Sequence, residues 1–178
     1  DFVFKPDGGL IILGEKFIAQ EIHKSGSSPS LEYSFDYVYI LYLDAEGEVK
    51  WKKKIVKRQN HTQSKKGQTP LLGDYAHASF TWANQGDNII LFFNDHVSNI
   101  GFDKNLYGVY STPSNLAACF NAVRIDDEGN MEREQIFNSK DKEVVIHPLR
   151  TRFLNKERTE LLLVGIYLRK QRLAYLRL

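Results

Sequence analysis

With 178 residues, 42% of them hydrophobic and 12% aromatic, the chain holds enough apolar material for one ordinary core, which excludes a disordered or fibrous protein. Lys and Arg number 24 against 22 Asp and Glu, and a formal net charge of +2 is low for a dedicated nucleic-acid domain. Cys119 stands alone, which excludes an internal disulfide and a cysteine-based zinc cluster and leaves the redox compartment open.

In chain order, the first patterned segment is Leu10–Leu13, of strand length and flanked by Gly9 and Gly14. The Ser- and Gly-containing stretch Gln20–Phe35 reads as an excursion between two strands, of the kind that carries recognition. Tyr37–Leu43 alternates as a strand and ends in Asp44-Ala45-Glu46-Gly47, where Asp caps a tight turn and Gly supplies a positive φ. Glu48–Ile55 returns as a further strand, with Val49, Trp51 and Ile55 expected on one face and Lys50, Lys52 and Lys54 on the other. Ile89–Phe93, Val123–Ile125 with its turn Asp126-Asp127-Glu128-Gly129, Leu161–Val164 and Tyr175–Leu178 complete the series. No stretch keeps apolar residues at helical spacing over three turns, and no apolar run approaches the roughly 20 residues of a membrane-spanning helix.

The two Asp-x-x-Gly elements are offset by 82 residues, and each follows an apolar strand of the same type. Gly9–Gly14, Asn88–Phe93 and Glu160–Gly165 give three copies of that earlier strand. The expected fold is therefore all-β, with antiparallel four-stranded, blade-like units of a β-propeller type. Unit 1 covers about 1–59, unit 2 about 75–138 and a partial unit 3 about 146–178, in a single domain. Two and a half units do not close a ring of the usual 4–8 blades, so the chain reads first as the C-terminal part of a longer one, with a protomer that associates to complete its sheets and an open stack of sheets as the alternatives. The first residue, Asp1, fits a trimmed fragment or a mature form after signal-peptide removal.

Gly8-Gly9-Leu10-Ile11-Ile12-Leu13-Gly14, followed by Tyr39-Ile40-Leu41-Tyr42-Leu43-Asp44-Ala45-Glu46-Gly47-Glu48-Val49-Lys50-Trp51 and then Lys54–Gln59, resembles a blade repeat of uncharacterised secreted β-propeller-like proteins of Bacteroidetes-type bacteria. The match covers residues 8–59; further on, Arg133 stands in the place of Trp51 and Phe93 in that of Gly14. The resemblance implies a fold and a secreted, periplasmic or outer-membrane-associated location, with the cytoplasm as the alternative. It carries no catalytic residues.

Residues 50–66 hold eight Lys or Arg and no acid, and residues 140–178 hold ten against four acids. Lys52, Lys54, Lys57 and Arg58 are candidates for contacting a polyanion, although charges alternating with apolar residues along a strand mark a solvated face. Asp95 and His96, with Asp103 seven residues beyond His96, form a candidate acid–base or binding group at a strand end. His147 with Arg150 and Arg152 forms a candidate anion pocket. Asp126–Asn130 lacks the alternating oxygens and distal Glu of a calcium loop, and nothing in the sequence calls for a cofactor or a metal.

No nucleophile elbow, phosphate-binding Gly loop, HExxH or Cys–His spacing occurs. The sequence points to a binding or scaffold module for a protein or carbohydrate. A glycan-acting hydrolase or lyase with a site shared by several units, and a polyanion-binding protein, are the alternatives. Nucleic acid is not the expected partner.

Overall fold

A computed structural model describes residues 1–23, 25–26, 29–64, 78–99, 118–167 and 170–178. Three antiparallel sheets follow one another along the chain. Sheet 1 contains β1 (Phe2–Phe4), β2 (Leu10–Ile22), β3 (Ser30–Leu43) and β4 (Val49–Ser64), hydrogen-bonded in that order. Sheet 2 contains β5 (Thr81–Gln85), β6 (Asn88–His96), β7 (Ala118–Ile125) and β8 (Met131–Asn138), also in sequential order. The short helix α1 (Ser139–Lys142) leads to sheet 3, in which β9 (Val145–Ile146) and β10 (Arg152–Phe153) both pair with β11 (Glu160–Tyr167), and β11 pairs with β12 (Lys170–Arg177). The first edge of sheet 3 is thus split in two by residues 147–151, where Pro148–Arg150 form a 3₁₀ turn.

The sheets pack face to face. Ile11, Leu13, Val38, Ile40, Tyr42 and Ile55 of sheet 1 meet Trp82, Ile89, Leu91, Phe93, Val123 and Ile125 of sheet 2. The other face of sheet 2, through Ala83, Ile90, Phe92, Phe120 and Ala122, meets Val144, Ile146, Leu161 and Leu163. Alternation explains the partition: odd residues of β6 point to sheet 1 and even ones to sheet 3, so Ile89–Asp95 are all buried.

Both Asp-x-x-Gly segments form the expected tight hairpin turns. Asp44 Oδ1 accepts from the Glu48 N–H at 2.8 Å and Asp126 Oδ1 from the Asn130 N–H at 2.7 Å. Gly47 and Gly129 take φ of 87° and 82°. The second turn also docks onto sheet 1: Trp51 Nε1 donates to Asp127 O at 2.9 Å, Lys50 Nζ reaches Asp127 Oδ2 at 3.1 Å, and Lys5 Nζ lies 3.2 Å from Asp127 Oδ1. A Cβ at Gly129 would sit 2.9 Å from Trp51 Cγ.

Two expectations are corrected. Gln20–Phe35 is not an excursion: β2 continues to Ile22 and β3 resumes at Ser30, paired from Ile22↔Ser30 to Phe17↔Phe35. Irregular register around Asp36, where Tyr37 pairs with Lys16 and Val56 but Phe35 with Phe17 and Gln59, switches the inward positions of β3 from Tyr33 and Phe35 to Val38, Ile40 and Tyr42. A second irregularity, between Tyr42 and Leu43, upsets the alternation expected at the start of β4. Val49 is 57% exposed, whereas Lys50 lies 4.7 Å from the Tyr42 ring centroid.

Gly129→Ala combines the cost of a left-handed backbone with a clash against Trp51 and is expected to destabilise the protein by about 1–3 kcal/mol. Gly14→Ala, with no heavy atom within 4 Å of the new Cβ, is expected to leave the urea midpoint unchanged or raised. Equal effects of the two substitutions on that midpoint would contradict the docking of the turn on Trp51.

Candidate functional site at the loop-bearing end

The order of strands divides the stack into two ends. At one lie the short connections 5–9, 44–48, 86–87 and 126–130, together with 154–159. At the other, β2, β4, β6 and β11 end and β3, β5, β7 and β12 begin, with 139–144 beside them. This second end carries a network of buried polar groups between the sheets.

Lys57, at the same strand parity as Ile55 and Gln59, is fully buried. Its ammonium pairs with the Glu15 carboxylate and donates to Gln59 Oε1 at 2.6 Å. Gln59 Oε1 also accepts from the Ser79 N–H at 2.8 Å, Gln59 Nε2 donates to Asn94 O at 2.8 Å, and Ser79 Oγ donates to Glu15 Oε2 at 2.6 Å. Asn94 Nδ2 in turn donates to Ile146 O at 2.6 Å, so hydrogen bonds run from sheet 1 through sheet 2 to sheet 3. Burial pulls the Lys57 pKa down, and the neighbouring Glu15, Asp95 and Asp36 carboxylates oppose that shift.

Asp95 is also fully buried, and both of its carboxylate oxygens are engaged. Oδ2 pairs with the Arg133 guanidinium, while Oδ1 accepts from Asn99 Nδ2 at 2.6 Å and from the His96 N–H at 2.8 Å. Arg133 stacks 5.0 Å from the Phe93 ring centroid. The Cys119 thiol points at Asp95 O at 3.4 Å, and burial raises its pKa. Two acids and two bases, Glu15 with Lys57 and Asp95 with Arg133, thus enter the interior as compensated pairs, the form in which buried charge is tolerated.

The expected site residues belong to all three sheets and the segments between their strands. Asp95, His96 and His147 lie toward the loop-bearing end; Asp103 lies outside the described residues. His96 accepts from the Ser98 N–H at its Nδ1, 3.1 Å away. His147 is 4% exposed, its N–H donates to Val164 O at 2.8 Å, and its Nδ1 is buried without a hydrogen-bond partner among the described residues. Burial, with a smaller contribution from the Arg150 charge, lowers its pKa from 6.5 to about 4. Arg150 is exposed on the 3₁₀ turn, and Arg152 is exposed on β10 opposite Leu162.

Among the polyanion candidates, Lys52 and Lys54 are exposed on the outer face of sheet 1, and Arg58 is exposed as well. Lys57 is not part of that surface, because its parity turns it inward onto Glu15. Lys52 and Lys54 flank an open groove of about 590 Å³ floored by Ile12, Gly14, Tyr39 and Leu41. Glu15, Gln59, Ser79 and Arg133 had no local motif to announce them; the one cue was the shared parity of Ile55, Lys57 and Gln59.

Among the described residues no group of three or more His, Cys, Asp or Glu is placed to hold a metal ion, and no helix is long and apolar enough to cross a membrane. No protein-family model, curated protein or solved structure matches the chain.

The unfolded chain protonates His147 near pH 6.5, whereas the folded protein resists protonation until about pH 4. Stability is therefore expected to fall as pH is lowered through this window, by up to about 3 kcal/mol from this group. Urea midpoints between pH 7 and pH 4 are expected to show a shallower decline for His147→Gln than for the unmodified protein; parallel declines would contradict it.

Proposed function

We propose that this chain is a β-propeller-type binding or scaffold module, secreted or envelope-associated in a bacterium, whose loop-bearing end engages a protein or carbohydrate. Its three sheets form consecutive blade-like units of a single domain. In such stacks the first strand of each blade lines a common inner rim. The contacts joining the first strands here support that reading: Trp82 Nε1 on β5 donates to Asp1 Oδ2 beside β1 at 2.9 Å, and the Arg158 guanidinium stacks 3.7 Å from the Trp82 ring centroid and 4.0 Å from that of Phe153 on β10.

The observation that carries the binding role is the asymmetry of the two ends. The tight turns are fastened to one another through Lys5, Trp51 and Asp127, while the longest connections leave from the end where Lys57, Gln59 and Asn94 tie the sheets together. Long connections on a rigid base are the usual arrangement for recognition. A hydrolase or lyase built on Asp95 would need that carboxylate to reach a substrate, and it is fully buried with its oxygens engaged by Arg133, Asn99 and the His96 N–H instead.

Immobilised protein screened against neutral and anionic oligosaccharides and against envelope protein extracts is expected to retain a specific ligand without altering it. His96→Ala or Arg150→Ala is expected to weaken retention roughly tenfold or more with an unchanged circular dichroism spectrum. Release of cleaved or unsaturated sugar products, or retention that neither substitution alters, would overturn the proposal.

A further inference from the structure

At the level of Asn94 the two spaces between sheets are closed differently. On the sheet 1 side the protein fills the space itself: Gln59 donates to Asn94 O, the buried Lys57 lies beside Gln59, and Arg133 of β8 holds Asp95. On the sheet 3 side Asn94 Nδ2 donates to Ile146 O, and the register runs from Asn94 through Phe120 to Phe137 on β8. Sheet 3 presents Gly165 here, paired with both Ile146 and Arg172, and Ala174 two residues along β12. Val144 occupies the space where a Cβ on Gly165 would stand. Ala174, in contrast, is exposed although its partner Leu163 is buried. An open cavity of about 450 Å³ is left, lined by Phe137, Val144, Ile146 and Ala174 together with Lys142 and Arg172.

This cavity lies between sheets 2 and 3. Phe137 pairs with Phe120 and Ala174 with Leu163, and Phe120 and Leu163 belong to the core shared by those two sheets. Lys142 on α1 and Arg172 on β12 are exposed, and neither is ion-paired among the described residues. Asp141 and Glu143 flank Lys142 in sequence but do not line the cavity. Toward the tight-turn end the same face of β8 becomes acidic: Glu132 and Glu134 line a separate, smaller hollow with Arg124. The apolar space therefore has its two cations at the loop-bearing end and a pair of acids beyond its other end.

We propose that this cavity binds a small amphipathic carboxylate, an unbranched acyl chain of about eight to twelve carbons, with its tail between Phe137 and Ala174 and its head toward Lys142 and Arg172. Small-molecule sites of roughly 300–1,000 Å³ combine apolar walls with a few polar groups that fix orientation, and this cavity has both. Facing sheets stand about 10 Å apart, so a gap opened by one small side chain admits a slender chain. A carboxylate gains charge-assisted hydrogen bonds from the two cations. The reversed orientation would bring it toward Glu132 and Glu134, where like charges repel. The site does not use His96 or Arg150 and stands apart from the protein- or carbohydrate-binding role proposed above.

Titration calorimetry with decanoate is expected to show one site per chain, with the neutral decanol bound roughly tenfold more weakly. Arg172→Gln, at an exposed position, is expected to weaken decanoate roughly fivefold and to leave decanol unchanged. Ala174→Phe, which fills the space, is expected to abolish binding of both with an unchanged circular dichroism spectrum. The methyl resonances of Val144 and Ile146 are expected to shift most when decanoate is added to the unmodified protein. No binding of decanoate up to about 1 mM, equal affinity for decanol, or an affinity that Arg172→Gln leaves unaltered would overturn the proposal.

Discussion

Strand β6 has no solvent side, and the rest of the fold is arranged around that fact. Leu91 and Phe93 are buried against sheet 1, and Ile90 and Phe92 against the sheet 3 side, all four at 2% exposure or less. At about 1.5–3 kcal/mol for each fully buried large apolar side chain, this strand contributes more to the core than its nine residues would on a sheet with one wet face. Sheets 1 and 3 each obtain their covered face from sheet 2. The order of the sheets along the chain is thereby also their order in space.

Apolar burial alone does not fix how far the sheets slide past one another. That role falls to the buried pairs at the loop-bearing end. Glu15 with Lys57 and Asp95 with Arg133 gain little over well-packed apolar residues of similar size, yet any register that separates one partner leaves an uncompensated charge inside. Gln59 and Asn94 extend the constraint by bonding backbone carbonyls of the next sheet, Asn94 O and Ile146 O. The same groups that specify the stack therefore form the base from which the longest connections leave. At the opposite end Trp51 and the cations Lys5 and Lys50 hold the Asp127 turn, so the two ends are fixed by different chemistry.

Much of the strand pattern is readable from the chain because the inner strands are apolar runs bounded by Gly and by Asp-capped turns. The all-β class and the antiparallel four-stranded sheets follow from those signals. The long arm of sheet 1 is not readable, because the irregularity at Asp36 breaks the alternation on which strand reading depends, and the stretch before it resembles a loop. Phe17, Tyr33 and Phe35 hold that arm through ring contacts, with the Phe17 and Phe35 centroids 4.9 Å apart. Lys57 illustrates residue type misleading where position does not: its parity with Ile55 and Gln59 marks it as inward, while its charge marks it as surface. Asp95 and His147 stand out as chemical groups, but Asp95 finds Arg133 38 residues away, a pairing that no local spacing encodes.

Native-state hydrogen exchange, resolved by residue, tests the central place of sheet 2 most directly. Amides of β6 and β7 are expected to exchange last, at the free energy of global unfolding, with β12 and the distal parts of β2 and β4 exchanging well before them through local opening. Early exchange in β6 and β7 while β2–β4 or β11–β12 stay protected would contradict a fold organised around the doubly buried sheet.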